Sequence, residues 1–238
     1  MIRYDGTAYC GWQAQKNGPS IQSAVEAAVK KLTGRAASVI ASGRTDAGVH
    51  ALAQVASFRT ASKIPVGNIE KALNTILPDD IRIFGAEEVN PAFNALKSAR
   101  SKTYRYTIYN SNVMDPFLRY FAAKCYFKLD VRLMRKGARY LTGRHDFTSF
   151  RTKDGREKDS VRTVRHITIE KKGDLIYIDI EANGFLYNMV RNIVGTLIDV
   201  ARGKIAPEDV KRILDRRDKR ACGPTAAASG LCLIKVDY

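Results

Sequence analysis

The stretch Ser38-Val-Ile-Ala-Ser-Gly-Arg-Thr-Asp-Ala-Gly-Val-His-Ala-Leu-Ala-Gln-Val-Ala-Ser-Phe58 reads as strand, loop, strand. Ser38–Ala41 is a short apolar run. The loop Ala41–His50 packs an Arg, an Asp, a His and two glycines together, and a second apolar run continues through Val55 to Phe58. Gly43 and Gly48 have the spacing of a phosphate-binding P-loop. That motif then needs Lys and Ser/Thr, where this chain has Val49 and His50, and Asp46 would repel a phosphate. Gly-x-Gly-x-x-Gly is absent as well. Two readings remain for the loop. It is a tight turn, because Asp and Gly are default turn residues, or it holds Asp46 up for chemistry.

Outward from this strand pair the pattern is regular. Met1–Asp5 reads as a strand, followed by a loop to Pro19. Ser20 caps a helix whose apolar stripe is Ile21, Ala24, Val25, Ala28, Val29 and Leu32, with Gly34 at its end. After Phe58, Pro65 opens a second helix with the stripe Val66, Ile69, Leu73 and Ile76. Pro78-Asp79-Asp80 stops it, and Ile81–Val89 is a strand. The order is β-α-β-β-α-β, the ferredoxin-like unit.

The rest of the chain repeats the order. Thr103–Tyr109 is a strand, and Asp130 caps a helix through Val131, Met134, Ala138 and Leu141 that ends by Gly143. Thr163–Glu170 and Leu175–Glu181 form a hairpin around Lys172-Gly173-Asp174. A helix follows with the stripe Val190, Ile193, Val194, Leu197, Ile198 and Ala201, broken by Gly203. After Pro207 and a basic helical turn, Leu231–Asp237 is the last strand. The expected fold class is therefore α+β, with two ferredoxin-like, RRM-like halves of mainly antiparallel sheet and helices packed on one face. The expected halves are residues 1–99 and 100–238. Asn110–Lys128 and Phe150–Ser160 read as irregular. The second of these is rich in Arg, Lys and Gly and suits an RNA-contact loop, with Arg151 as a candidate contact, or a solvated surface loop.

Composition narrows the function. With 238 residues the chain has length enough for a real core. Lys plus Arg outnumber Asp plus Glu by 40 to 24, a net charge of +16 spread along the chain. A folded domain this basic points to an anionic partner, most often nucleic acid. The four cysteines and three histidines lack zinc-ligand spacing, so no metal site is expected, and a reduced, cytoplasmic protein is. The N-terminus has no apolar signal region, and no apolar run is long enough to cross a bilayer. Single-stranded RNA is read by aromatics on RRM-like sheets. Tyr104 and Tyr106 share a face of their strand, but the RNP consensus is missing, and from pattern alone Tyr104 reads better as a cross-strand packing residue.

Six segments, in order, resemble the tRNA pseudouridine synthase A family. They are Tyr4-Asp-Gly-Thr7 with Gly11-Trp-Gln13, Gly43-Arg-Thr-Asp-Ala-Gly-Val-His50, Lys102-Thr-Tyr-Arg-Tyr106, Asp146-Phe-Thr-Ser-Phe150, Met189-Val-Arg-Asn-Ile-Val-Gly195, and Ala227-Ala-Ser-Gly-Leu231 with Val236-Asp-Tyr238. The resemblance covers essentially the whole chain, and the Gly43 and Met189 segments are its most specific parts. It implies isomerisation of uridine to pseudouridine at positions 38, 39 and 40 of the tRNA anticodon stem-loop. It also implies two similar halves flanking a basic cleft, a homodimer, and no cofactor. The family's catalytic Asp falls on Asp46, its active-site Tyr on Tyr104 and its cleft Arg on Arg191. Arg44 becomes a candidate substrate contact. Where the family commonly carries an Arg after Phe-His-Ala, this chain has Phe93-Asn-Ala95 and then Leu96 and Lys97, so Lys97 is the candidate replacement contact. A non-catalytic RNA-binding protein on the same scaffold is the alternative. It shares the charge but does not require Asp46, Tyr104 and Arg191 together. A two-metal nuclease would need clustered carboxylates, and none cluster near Asp46.

Overall fold

A computed structural model describes residues 1–153 and 159–238. Part of the expected RNA-contact loop, residues 154–158, thus lies outside the described residues. The first hundred residues run β1 (Ile2–Tyr4), α1 (Ile21–Thr33), β2 (Ile40–Ala41), β3 (His50–Gln54), β4 (Ala56–Ser57), α2 (Val66–Ile76) and β5 (Ile81–Ile83). There follow β6 (Ser101–Tyr109), β7 (Ala123–Lys124), α3 (Val131–Ala138), β8 (Gly143–Asp146), β9 (Val161–Lys172) and β10 (Leu175–Ala182). The chain ends with α4 (Met189–Ala201), α5 (Asp209–Arg216) and β11 (Leu231–Asp237). The architecture is mixed α/β with mainly antiparallel pairing. No helix among the described residues is long and apolar enough to cross a membrane.

The chain divides into two compact units, residues 1–100 with 232–238, and residues 101–231. Residues 232–238, read from the sequence as the last strand of the second half, gather with the first unit because β11 pairs parallel with β3, Cys232 opposite His50 and Leu233 opposite Ala51.

In the first unit the sheet order is β5-β1-β3-β11. The expected hairpin across Ser38–Phe58 is only partly formed. β2 and β4 pair antiparallel, Ile40 with Ser57 and Ala41 with Ala56, as a separate two-stranded ribbon. Between them β3 leaves for the main sheet, where Tyr4 lies opposite Ala51 and Ile2 opposite Gln54 across a register shift. The break falls at Val55, whose carbonyl accepts the Ser42 N–H at 2.8 Å instead of continuing the β3 ladder. β5 stops at Ile83 rather than Val89 because its partner β1 is itself only three residues long. The helices follow their signals. The Ser20 hydroxyl accepts the Ser23 N–H, and Gly34 closes α1 in the left-handed region with its N–H on the Lys30 carbonyl at 2.9 Å.

In the second unit the sheet order is β6-β10-β9-β8, with β7 parallel on β6. Alternate residues of β10, namely Ile176, Ile178, Ile180 and Ala182, are buried, as period two requires for a strand with one covered face. Asp130 caps α3 through the Arg132 and Leu133 N–H groups. The apolar helix α4 packs against α3 and is buried over most of its circumference. Its Gly195 lies hard against the 222–226 segment, where an added methyl would overlap the Pro224 carbonyl oxygen. Backbone cannot yield as a flexible side chain would. Gly195→Ala should therefore destabilise the protein by about 3 kcal/mol or more, read as a fall in the urea midpoint; an unchanged midpoint would show that the contact is not tight.

Candidate functional site

The loop Ser42–Val49 of the first unit is held from below by buried polar side chains. Ser42 and Gln54 are fully buried, and Tyr4 and Thr45 nearly so. The Ser42 hydroxyl donates to Gln54 Oε1 at 2.7 Å, and Gln54 Nε2 donates to the Gly43 carbonyl at 2.9 Å and to the Tyr4 hydroxyl at 3.4 Å. The Tyr4 hydroxyl lies 2.8 Å from Thr45 Oγ1. Burial, the largest influence, pushes the Tyr4 pKa well above its ordinary value and outweighs the bonds from Thr45 and Gln54. Tyr4 is thus a neutral phenol able both to donate and to accept. Each buried group in this chain has a partner, which is the condition for a polar core to be stabilising.

From above, the loop is clamped by the segment that begins Gly11-Trp12. Trp12 N–H donates to the Thr45 carbonyl at 3.0 Å, and the Gly11 and Trp12 carbonyls receive the Ile21 and Gln22 N–H groups at the start of α1. Gly11 has φ +97°, and a Cβ there would strike the Thr45 carbonyl, so only glycine allows this approach. Gly6 N–H reaches His50 Nδ1 at 3.1 Å and pins the far end of the loop.

The consequence is that the loop buries some side chains and leaves others exposed. Thr45 and Val49 point into the unit, while Arg44 and Ala47 are exposed and Asp46 is half-exposed. Asp46 opens a turn: its carbonyl accepts the Val49 N–H at 3.1 Å, and Gly48, at the third position, has φ +74°. The backbone reading of the loop as a turn therefore holds, and Asp46 on it is only partly buried.

Tyr104 lies on β6 of the second unit, 6% exposed, opposite Ile180 and edge-on to Phe185 with centroids 5.0 Å apart. Arg191, on the first turn of α4, donates from Nε to the Ala226 carbonyl at 2.7 Å and from Nη1 to Asn188 Oδ1 at 2.9 Å. The next residue, Ala227, accepts the Tyr106 hydroxyl at 2.8 Å. Tyr106 and Arg191 are thus fixed on one short segment, and burial raises the Tyr106 pKa although Arg191 opposes it. Arg151 follows the Thr148–Phe150 turn, and the neighbouring Thr152 hydroxyl accepts from Asn188 Nδ2 at 3.2 Å.

Of the residues expected from the sequence, Asp46, Arg44 and Lys97 are in the first unit, and Tyr104, Arg191 and Arg151 in the second. Lys97 is exposed, on a turn whose N–H groups at Leu96 and Lys97 both donate to Asn94 Oδ1 at 3.0 Å. Sequence reasoning missed Tyr4, Ser42, Gln54 and Asn188. A Gln among the small apolar residues of β3 was the available signal for the first three. Asn188 sits in the left-handed region at the head of α4, with φ 59°, which no spacing rule announces. Among the described residues no three His, Cys, Asp or Glu side chains gather as they would to hold a metal ion.

A family model described as tRNA pseudouridine synthase matches residues 1–96 and 138–238. The chain belongs to the tRNA pseudouridine synthase family. Pseudouridine formation is an isomerisation, and the protein is an isomerase of that family. It is 46% identical over 238 residues to a protein of Thermoanaerobacter sp. strain X514 named tRNA pseudouridine synthase A, covering 100% of this chain and 98% of that one. Relatives with the same name in Pelobacter propionicus and Acetivibrio thermocellus are 46% and 45% identical, with 100% of this chain and 97% and 98% of theirs covered. A solved Cbf5–Nop10–Gar1 complex includes a chain similar at a TM-score of 0.40 and 10% identity, covering 99% of this chain and 57% of that one.

The buried chain beneath the loop makes a stability prediction that does not depend on catalysis. Gln54→Leu removes the middle member of the relay: the Ser42 hydroxyl loses its Gln54 acceptor and the Gly43 carbonyl its Gln54 donor, while Tyr4 keeps Thr45. The expected cost is about 2–4 kcal/mol, seen as a lower midpoint in urea. An unchanged midpoint would mean that the network does not hold the loop.

Proposed function

We propose that the protein isomerises uridine to pseudouridine at positions 38–40 of the tRNA anticodon stem-loop, with Asp46 as the catalytic carboxylate. The observation that carries this reading is the loop itself: a half-exposed Asp on a turn whose every other support is buried and hydrogen-bonded. Rigid presentation of one carboxylate is what the reaction asks for. The N1–C1′ bond breaks, the uracil turns, C5 joins C1′, and the C5 proton is lost while N1 ends protonated. Electrons and atoms balance without a redox partner. A carboxylate serves as nucleophile or as base, and its position matters at the ångström scale.

The remaining roles belong to the same proposal. Tyr104 stacks on the extruded base, because chemistry on a paired base requires flipping. Arg191, preorganised by Ala226 and Asn188, favours the ionised form of the catalytic carboxylate. Arg44 reaches the RNA beside the target, and Lys97 and Arg151 contact its backbone. The finer fold reading, two ferredoxin-like halves with helices on one face flanking a cleft, belongs to this proposal, and the basic character of that cleft is supported by the +16 charge. So does work in the cytoplasm, where the tRNA substrate resides.

Asp46→Asn keeps the turn, since Asn serves the first turn position as well as Asp. It should fold normally and bind tRNA nearly as well, yet lose pseudouridine formation by at least ~10⁴-fold. Substantial turnover by the folded variant would remove Asp46 from catalysis.

The proposed homodimer is supported by an apolar stretch on the second unit. Phe117 is 88% exposed, Val113 77% and Tyr126 63%, large apolar side chains left in water within one stretch of the chain. Phe117→Asp should convert a dimer mass in light scattering at micromolar concentration to a monomer mass. A monomeric wild-type protein, or a variant that stays dimeric, would refute this interface.

A further inference from the structure

Lys102 is the second residue of β6 and opens its Lys102-Thr-Tyr-Arg-Tyr106 segment. It is 9% exposed, yet lysines are almost never that buried unless paired. Among the described residues no carboxylate lies within ion-pairing distance of it and no acceptor takes a hydrogen bond from its Nζ. The charge nearest to it that matters is another cation, Arg162, on β9. Burial lowers the Lys102 pKa, and the Arg162 charge lowers it further.

The sheet explains how the two cations meet. Lys102 pairs with Ala182 on β10, and Ala182 pairs with Val164 on β9. Arg162 precedes Val164 by two residues and so returns to the same face. Ala182, the residue between them, is fully buried and carries no charge to offset either cation. Arg162 also runs beside Gly184, where a Cβ would lie 3.6 Å from its Nε. Arg162 Nη1 is oriented by the Asp159 and Val161 carbonyls at 3.1 and 2.8 Å, and no carboxylate among the described residues pairs with it. Two residues along β6, on the Lys102 face, stands Tyr104, with Phe185 against its ring.

Two cations brought together on one face of the sheet, with no counter-charge among the described residues, are costly to the free protein and suited to an anion. We propose that Lys102 and Arg162 form a binding site for one phosphodiester group of the RNA substrate, next to the nucleotide that stacks on Tyr104. The site rests on the RNA-modifying reading given above. It adds to that reading a specific pair of residues that grips the backbone at the point of base extrusion. The cation pair is held in place before RNA arrives, so binding the phosphate relieves a repulsion already present in the free protein.

The test uses the full chain and an unmodified tRNA transcript, with affinity measured over a salt series and thermal stability measured without RNA. Lys102→Met keeps the buried stem and removes the charge. It should leave the melting temperature unchanged or raise it, weaken tRNA binding about tenfold at low salt, and make the salt slope shallower by about one ion. Arg162→Gln should weaken binding similarly, and the double variant should lose less than the two losses combined, because both act on one phosphate. Unchanged affinity and slope in a folded Lys102→Met would overturn the proposal. So would a lower melting temperature or failure to fold, which would mark Lys102 as a structural cation, and so would fully additive losses. If wild-type protein fails to bind the tRNA at all, the RNA reading itself fails, an outcome distinct from all of these.

Discussion

The first unit depends on one buried hydrogen-bond relay, Ser42 to Gln54 to Tyr4 to Thr45. It joins Ser42, Gly43 and Thr45 of the 42–49 loop to β1 and β3 through buried groups. A loop of eight residues in water samples many shapes and would have to be ordered anew for each turnover. Here the ordering cost is met on folding. The same bonds that make the loop rigid turn Thr45 inward, and this leaves Arg44 exposed and Asp46 only partly buried. The exposure of the proposed catalyst is thus a by-product of satisfying buried polar groups.

Position and reactivity come from different parts of the structure. Gly11 lets the Trp12 segment close on the Thr45 carbonyl, and α1 fixes that segment in turn through Ile21 and Gln22. In the second unit the analogous device is Gly195, which lets α4 touch the 222–226 segment, so that Arg191 and Tyr106 share the Ala226-Ala227 carbonyls. In both units a glycine permits a close backbone contact, and the contact fixes a polar side chain. Lys102 and Arg162 are the opposite case. They are placed by sheet register, with no counter-charge among the described residues, and are left for a ligand to complete.

Much of this was legible in the sequence where local rules suffice. Ser20, Gly34 and Asp130 bound their helices as capping chemistry requires, and Leu175–Glu181 alternates as a half-buried strand should. The Asp46 loop stood out because Gly43 and Gly48 bracket a charged residue. What failed to show was non-local. The division of the Val49–Phe58 run into β3 and β4 is decided by Val55 bonding to Ser42, which hydrophobic alternation cannot encode. The pairing of β11 with β3 joins residues about 180 apart in the chain, and the strands β7 and β8 are too short to announce themselves. Gln54 read as an ordinary polar strand residue, and its partners are known only once the strands are in register. For Lys102 the sequence offered only a charge within a strand, with no sign that its neighbour across the sheet is an arginine.

The most direct test of the central claim is to map uridine conversion in an unmodified tRNA by carbodiimide-blocked primer extension after incubation with the purified protein and no added cofactor. The account predicts new extension stops at uridines among positions 38–40 and none elsewhere in the transcript. A transcript that is bound but shows no stops, or stops confined to other regions of the tRNA, would contradict it.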